Sequence, residues 1–282
     1  MNSPPEIAKL YIEEGIRRVK IPLLKMFILG LYGGLYIGSG GLCALACSYR
    51  MSGGDSRFYS GLVFPIGIML CLCAGAELFT ANCLLVIPLF CQRITIVEML
   101  ISWGIVYLGN LLGGFIMSIF IVYGHIANLF DSGLAQMFVS TGISKTALGF
   151  GDAFVKGILC NFFICLSVWL SYGAKDLFSK IAALWTPVLL YIACGFEHCV
   201  DGMFYIPCGL FASYEYKLAR PGLDWGKYFY KNLIPVTLGN IIGGAILVGF
   251  GYWYIYLTPT EVVTQVENKD VPIDEKIEKA MN

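Results

Sequence analysis

The chain has 282 residues, 57% of them hydrophobic and 13% charged, and its 19 basic residues balance 19 acidic ones. A soluble domain carries about 25% charged residues, so the composition excludes an ordinary soluble globular protein. The zero net charge offers no basic surface for nucleic acid. The eleven cysteines lie almost wholly in apolar runs and form no CxxC pair with histidine partners, which favours reduced, buried thiols over zinc ligands.

Residues 1–25 are too polar for a signal peptide. Ile7, Leu10 and Tyr11 mark the apolar side of a short helix whose other side carries Glu13, Glu14, Arg17 and Arg18. The segment reads as a cytoplasmic interfacial helix lying on the membrane or as an ordinary solvated helix.

Six apolar spans follow, near 26–47, 59–90, 97–128, 152–172, 181–211 and 233–257, since about 20 apolar residues cross a bilayer. In the first, Gly30, Gly34 and Gly38 line one face and let a neighbouring backbone approach closely. The second is too long for one straight helix and contains Gly75-Ala76-Glu77-Leu78-Phe79-Thr80-Ala81-Asn82. A carboxylate at mid-bilayer costs about 2.5–3.5 kcal/mol on insertion scales, so this element predicts two half-helices joined by a turn buried in protein. Pro65 and Pro88 stand at plausible half-helix boundaries.

The third span carries Leu108-Gly109-Asn110-Leu111-Leu112-Gly113-Gly114. Lys145 and Lys156 flank the start of the fourth, where either would concentrate anions at a pore mouth or snorkel to the interface. Asn161 follows as a buried amide with donors for an anion or for a neighbouring backbone. His125, near a span end, reads as structural.

The fifth span breaks at Gly195-Phe196-Glu197-His198-Cys199-Val200-Asp201-Gly202, with Pro187 and Pro207 as its expected boundaries. His198 is one of two histidines in the chain, and imidazole titrates near neutrality, so it suits hydrogen bonding to an anion or proton exchange with a weak acid. Thr80, able to donate and accept, is suited to orient it or to hold a small anion. Glu77 and Glu197 brace the broken backbones rather than touch substrate, because a carboxylate would repel an anion. Asn82 belongs to the first break in the same structural capacity.

The sixth span repeats the third as Leu238-Gly239-Asn240-Ile241-Ile242-Gly243-Gly244. With Glu77 matching Glu197 and Asn110 matching Asn240, the halves 26–128 and 152–257 form an inverted repeat of three spans each, with its working site near the midplane. The fold class is therefore an all-α membrane protein with broken second and fifth helices. An even span count puts both termini on one side. Lys9, Arg17, Arg18, Lys20 and Lys25 bias that side toward the cytoplasm of the cell membrane, and residues 258–282 read as a polar cytoplasmic tail. No feature implies a cofactor, a metal or an enzymatic reaction. A haem or quinone enzyme is disfavoured because two isolated histidines do not make a bis-His site.

The motifs Gly75-Ala-Glu-Leu-Phe-Thr80, Lys156-Gly-Ile-Leu-Cys-Asn161, Gly195-Phe-Glu-His198, Met203-Phe-Tyr-Ile-Pro207 and Asn232-Leu-Ile-Pro-Val-Thr-Leu-Gly-Asn240 resemble, in order, those of the formate/nitrite transporter family. The resemblance implies an aquaporin-like fold with one pore per protomer of a homopentamer. It also implies passage of a small monovalent anion such as formate, nitrite, hydrosulfide, acetate or lactate, often together with a proton. It places the family's pore histidine at His198, the threonine bonded to it at Thr80, and the entrance lysine and its asparagine at Lys145 and Asn161. Apolar constrictions fall at Phe64, Ile68, Leu78, Phe79, Ile164 and Tyr191. Relatives usually continue His-x-x-Ala-Asn-Met, whereas here Asp201 and Gly202 precede Met203. The alternative within transport is a water or neutral-solute channel on the same fold.

Overall fold

Ten helices in a computed structural model follow the expected spans, with one addition, over the described residues 1–258. They are α1 (Pro4–Val19), α2 (Leu23–Cys47), α3 (Gly53–Ala74), α4 (Phe79–Phe90), α5 (Ile96–Tyr123), α6 (Gly133–Thr146), α7 (Phe150–Gly173), α8 (Leu177–Ala193), α9 (Cys199–Glu215) and α10 (Trp225–Leu257). Five of these, α2, α3, α5, α7 and α10, are long and apolar enough to cross a membrane. The α3–α4 and α8–α9 pairs flank the two breaks, and the whole accommodates six passages. The expected tail lies, past Thr258, outside the described residues.

Local chemistry starts several helices. Ser3 and Glu6 form a capping box at α1, and Thr95 and Glu98 another at α5, each satisfying orphan N–H groups. Asp176 caps α8 by accepting from Ser179 N–H at 2.9 Å. The prolines do not make the breaks: Pro65, Pro88, Pro187 and Pro207 all lie within helical runs. The chain turns instead at Gly75 and Gly195, with φ of +91° and +69°, a conformation that a Cβ disfavours.

Close backbone packing joins the layers. A Cβ on Gly34 would fall 2.9 Å from Gly113 Cα, and one on Gly239 would fall 3.1 Å from Gly157 Cα. The glycine faces therefore seat α2 on α5 and α7 on α10, the small-residue contact expected in lipid. Large apolar side chains including Leu24, Val97, Leu100, Phe120 and Phe178 remain exposed around the outside. An apolar exterior of this kind fits lipid or another subunit rather than water.

Two expectations need correction. Residues 133–146 are a helix, α6, where no element was expected; its apolar residues are too few for a span, but Leu134, Ala135, Phe138 and Val139 bury one face. The second correction concerns α1, which does not simply lie on a surface. Leu10 is exposed, whereas Tyr11 and Arg18 are buried. Tyr11 donates to Ala81 O at 3.1 Å, so the helix docks on the first break. Asn2 N–H donates to Gly173 O, and α1 also packs on the end of α10. The N-terminus and the last described residues thus share one face of the molecule.

Candidate functional site

Both breaks are built on one plan. Glu77 N–H donates to Leu29 O at 3.1 Å, and Glu197 N–H donates to Lys156 O at 3.3 Å. Asn110 Nδ2 donates to Gly30 O (2.7 Å) and Glu77 O (2.9 Å) while its Oδ1 accepts from Phe79 N–H (2.9 Å). Asn240 Nδ2 donates to Gly157 O (2.8 Å) and Glu197 O (3.1 Å) while its Oδ1 accepts from Cys199 N–H (2.9 Å). The break leaves backbone groups without helical partners, and in an apolar surround each needs another. One amide side chain per half supplies two of those bonds and a third to a neighbouring helix.

The carboxylates of the two breaks meet buried cations. Arg18 Nη1 lies 3.2 Å from Glu77 Oε2 and donates to Asn82 Oδ1 at 2.7 Å, while its Nε pairs with Glu14 at 2.9 Å. Lys145 Nζ lies 2.9 Å from Glu197 Oε2 and 3.1 Å from Asp201 Oδ1, and 5.5 Å from the centre of the Tyr205 ring. Removing either partner from such a buried pair strands a charge, at a cost of about 3–5 kcal/mol. Arg18 was not expected here. Its helix periodicity suggested a solvated face, but Arg18 precedes Gly30 by as many residues as Lys145 precedes Gly157, and that shared spacing was the available signal.

Thr80 and His198 come together where α4 and α9 begin. Their Oγ1 and Nε2 atoms are hydrogen-bonded at 2.9 Å, with both residues fully buried. Among the described residues the His198 Nδ1 has no partner. Asn161 does not point free donors at this place: its Nδ2 donates to Thr80 O at 3.2 Å and to Asn240 O at 2.7 Å. It ties the first break to α10. Cys165, unremarked in the sequence, sends its Sγ to the same Thr80 carbonyl at 3.4 Å. Trp103 Nε1 donates to Asn82 O at 2.8 Å.

Of the apolar candidates, Tyr191 reaches this pair directly. Phe64, Ile68, Leu78, Phe79, Ile164 and Tyr191 are all buried. Tyr191 packs edge-on to Phe64 at 6.1 Å between centres, and to His198 at 6.3 Å. Phe79 turns its ring against Tyr107 at 4.9 Å and Trp103 at 5.9 Å on α5. On the α1 side a cavity of about 300 Å³ is lined by Glu14, Arg17, Arg18, Glu77, Tyr172 and Lys180, among others. It reaches Gly75 and Ala76 at the first break and stops short of Thr80. Lys156 is half-buried and contributes its backbone carbonyl to the second break, and His125 is exposed in a turn after α5.

Known proteins share this fold. Residues 5–254 match the family profile described as formate/nitrite transporter. The uncharacterized transporter YrhG of Bacillus subtilis is 37% identical over 258 residues, which cover 90% of this chain and 93% of that one. The formate channel FocA of Escherichia coli strain K12 is 34% identical over 270 residues, 90% of this chain and 94% of its own. Among solved structures, a pentameric formate channel with formate bound superposes with a TM-score of 0.74 at 29% identity, covering 84% of this chain and 98% of that chain. An ion channel of the same family superposes at 0.81 with 25% identity over 90% and 99% of the two chains. The repeated breaks, the amide-braced crossings and the buried Thr–His pair therefore sit in an integral, multi-pass membrane protein that belongs to the formate/nitrite transporter family.

Proposed function

We propose that this chain is a channel for small monovalent weak-acid anions of the formate, nitrite, hydrosulfide, acetate or lactate class, which it passes together with a proton. The observation that carries this reading is the 2.9 Å hydrogen bond between Thr80 and His198, buried where both broken helices meet. Arg17, Arg18 and Lys180 around the cavity on the α1 side concentrate the anion at that mouth, and at the other Lys145 stands between Glu197 and Asp201. Half-helix N-termini at Phe79 and Cys199 add positive potential. As the anion leaves water for the apolar stretch of Phe64, Ile68, Leu78, Phe79, Ile164 and Tyr191, desolvation makes it a stronger base. It takes a proton from solvent or from His198 and crosses as the neutral acid. Apolar walls that would block a bare anion then favour passage.

Relatives named as formate channels support the substrate class, and the pentameric structural neighbour supports a homopentamer with one pore per protomer. The exposed apolar belt offers surface for such an assembly. The basic N-terminal segment supports a plasma-membrane protein with both termini in the cytoplasm. The role is transport, and no catalytic step is assigned to the chain.

The test is a flux panel of formate, lactate, nitrite and hydrosulfide in liposomes across pH. Saturable uptake that follows weak-acid protonation supports the proposal. Water or neutral-solute flux without anion flux would favour the neutral-solute channel instead. Unchanged pH dependence in His198→Asn would remove the histidine from proton transfer.

A further inference from the structure

The two halves differ at the charged cluster beside each break. In the first half one carboxylate, Glu77, faces Arg18, and Asn82 completes the set through a 2.8 Å bond from its Nδ2 to Glu77. In the second half a single ammonium, Lys145, faces two carboxylates, Glu197 and Asp201, at 2.9 and 3.1 Å. The position matching Asp201 in the first half is Ala81. The position matching Asn82 is Gly202, and a Cβ there would fall 2.6 Å from Asn232 Oδ1. Asn232 thus occupies, from α10, the space an asparagine at 202 would need.

Asn232 gives the cluster a second unmet requirement. Its Nδ2 donates to Glu197 Oε2 at 3.2 Å and to Lys145 O at 3.4 Å. Its Oδ1 is buried and accepts from nothing among the described residues. The titratable groups whose charges act on Asp201, or it on them, are Lys145 on α6, Glu197 in the break, Cys160 on α7, Tyr191 on α8, and Cys199 and Tyr205 on α9. Lys145 is the one cation in that set. The charge count therefore leaves one surplus negative charge beside an amide oxygen that lacks a donor.

A proton meets the charge requirement and brings a donor to a site whose amide oxygen has none. It neutralises the surplus carboxylate, and the acid O–H it creates is a hydrogen-bond donor for a buried acceptor. A metal ion fits poorly, because the ammonium already bridges the two carboxylates. No group of three or more His, Cys, Asp and Glu side chains is placed to hold a metal among the described residues. We infer that Lys145, Glu197, Asp201 and Asn232 form a proton-binding site that sets the charge of the pore mouth opposite α1.

This inference rests on the channel reading. Without the proton the cluster carries a net negative charge and opposes a monovalent anion. With it the cluster is neutral, and Lys145 can attract the anion. The cavity on the α1 side has three cations, Arg17, Arg18 and Lys180, against Glu14 and Glu77, so it stays attractive without any such proton. The two mouths then respond differently to pH, and buried charges act on the pore with little screening by salt.

The experiment compares wild-type protein with Asp201→Asn in liposomes, using formate flux across pH. Both proteins meet the same amount of neutral formic acid at each pH, so their ratio isolates the site. We expect Asp201→Asn to raise uptake about tenfold at alkaline pH, the scale on which focused surface fields change association rates, with the ratio falling to about one in acid. A ratio independent of pH, or uptake lowered throughout, would overturn the inference. Infrared titration of the wild-type protein gives a readout that does not require the variant to fold. A protonated-carboxyl band should appear on acidification in apolar surroundings, and its absence overturns the site. Wild-type liposomes carrying no formate at any pH would instead defeat the channel reading, leaving the infrared result to decide the proton site.

Discussion

Asn110 and Asn240 hold the same place in opposite halves, each donating to two backbone carbonyls and accepting from the first N–H of the half-helix beyond its break. The two side chains do for a broken helix what an unbroken one does for itself. Their equivalence makes a direct prediction. Asn110→Ala and Asn240→Ala should each strand buried donors and acceptors, at about 1–3 kcal/mol per group. Thermal unfolding of the detergent-solubilised protein should show both variants destabilised by similar amounts. A tolerant Asn240→Ala would mean that the second break is held by something else.

Arg18 yields a prediction of a different kind. Arg18→Gln leaves Glu77 buried beside Asn82 without its cation, a loss of about 3–5 kcal/mol. Adding Glu77→Gln should recover part of that loss, because the second change removes the stranded charge. A double-mutant cycle by unfolding reads the coupling directly. Additive effects would show that the 3.2 Å ion pair contributes nothing.

Thr80 separates stability from transport. Thr80→Val keeps the shape but removes the hydroxyl that meets His198. General acid–base effects of positioned groups are worth about 10²–10⁴-fold, and losing the orientation of the ring should cost at least tenfold in liposome flux. Thr80→Ser should retain most of it. Equal flux in wild type and Thr80→Val would sink the pairing as a functional element.

Close helix packing can be tested with paired glycines on α5. A Cβ on Gly109 would fall 2.6 Å from Phe27 O, whereas one on Gly104 would meet nothing within 4 Å. Gly109→Ala should therefore force α2 and α5 apart and cost about 1–3 kcal/mol. Gly104→Ala should be neutral or slightly stabilising. Melting temperatures of the two variants check the contrast.

The breaks and the repeat were legible in the sequence because each leaves a mark that lipid makes costly: a carboxylate, a glycine or an amide inside an apolar run; the pairing of Thr80 with His198 came from the family resemblance. Arg18 and Asn232 were not legible, since each lies outside the apolar run it serves. Arg18 sits on a helix whose charged residues read as solvated. Asn232 enters the second charged cluster from the start of α10, a long-range contact that no local pattern encodes. The prolines misled for the opposite reason. Proline is a strong local signal, yet here the helices absorb it, and the positive φ at Gly75 and Gly195 does the turning. Asn161 was visible as a buried amide, but its use in joining Thr80 to Asn240 depended on a fold only the structure supplies.

The Thr80–His198 bond also says something about ancestry by duplication. Aligned on Glu77 and Glu197, Thr80 corresponds to Val200 and His198 to Leu78, so the mirror image of this contact is Leu78 with Val200, both buried and apolar. Two identical subunits inserted in opposite directions would place a hydroxyl opposite a leucine twice, or an imidazole opposite a valine twice. Neither assembly places a hydroxyl opposite an imidazole. Halves that differ in sequence escape that constraint. The scaffold asparagines keep their symmetry and the central pair does not, so a Thr–His contact at this place requires two halves of different sequence.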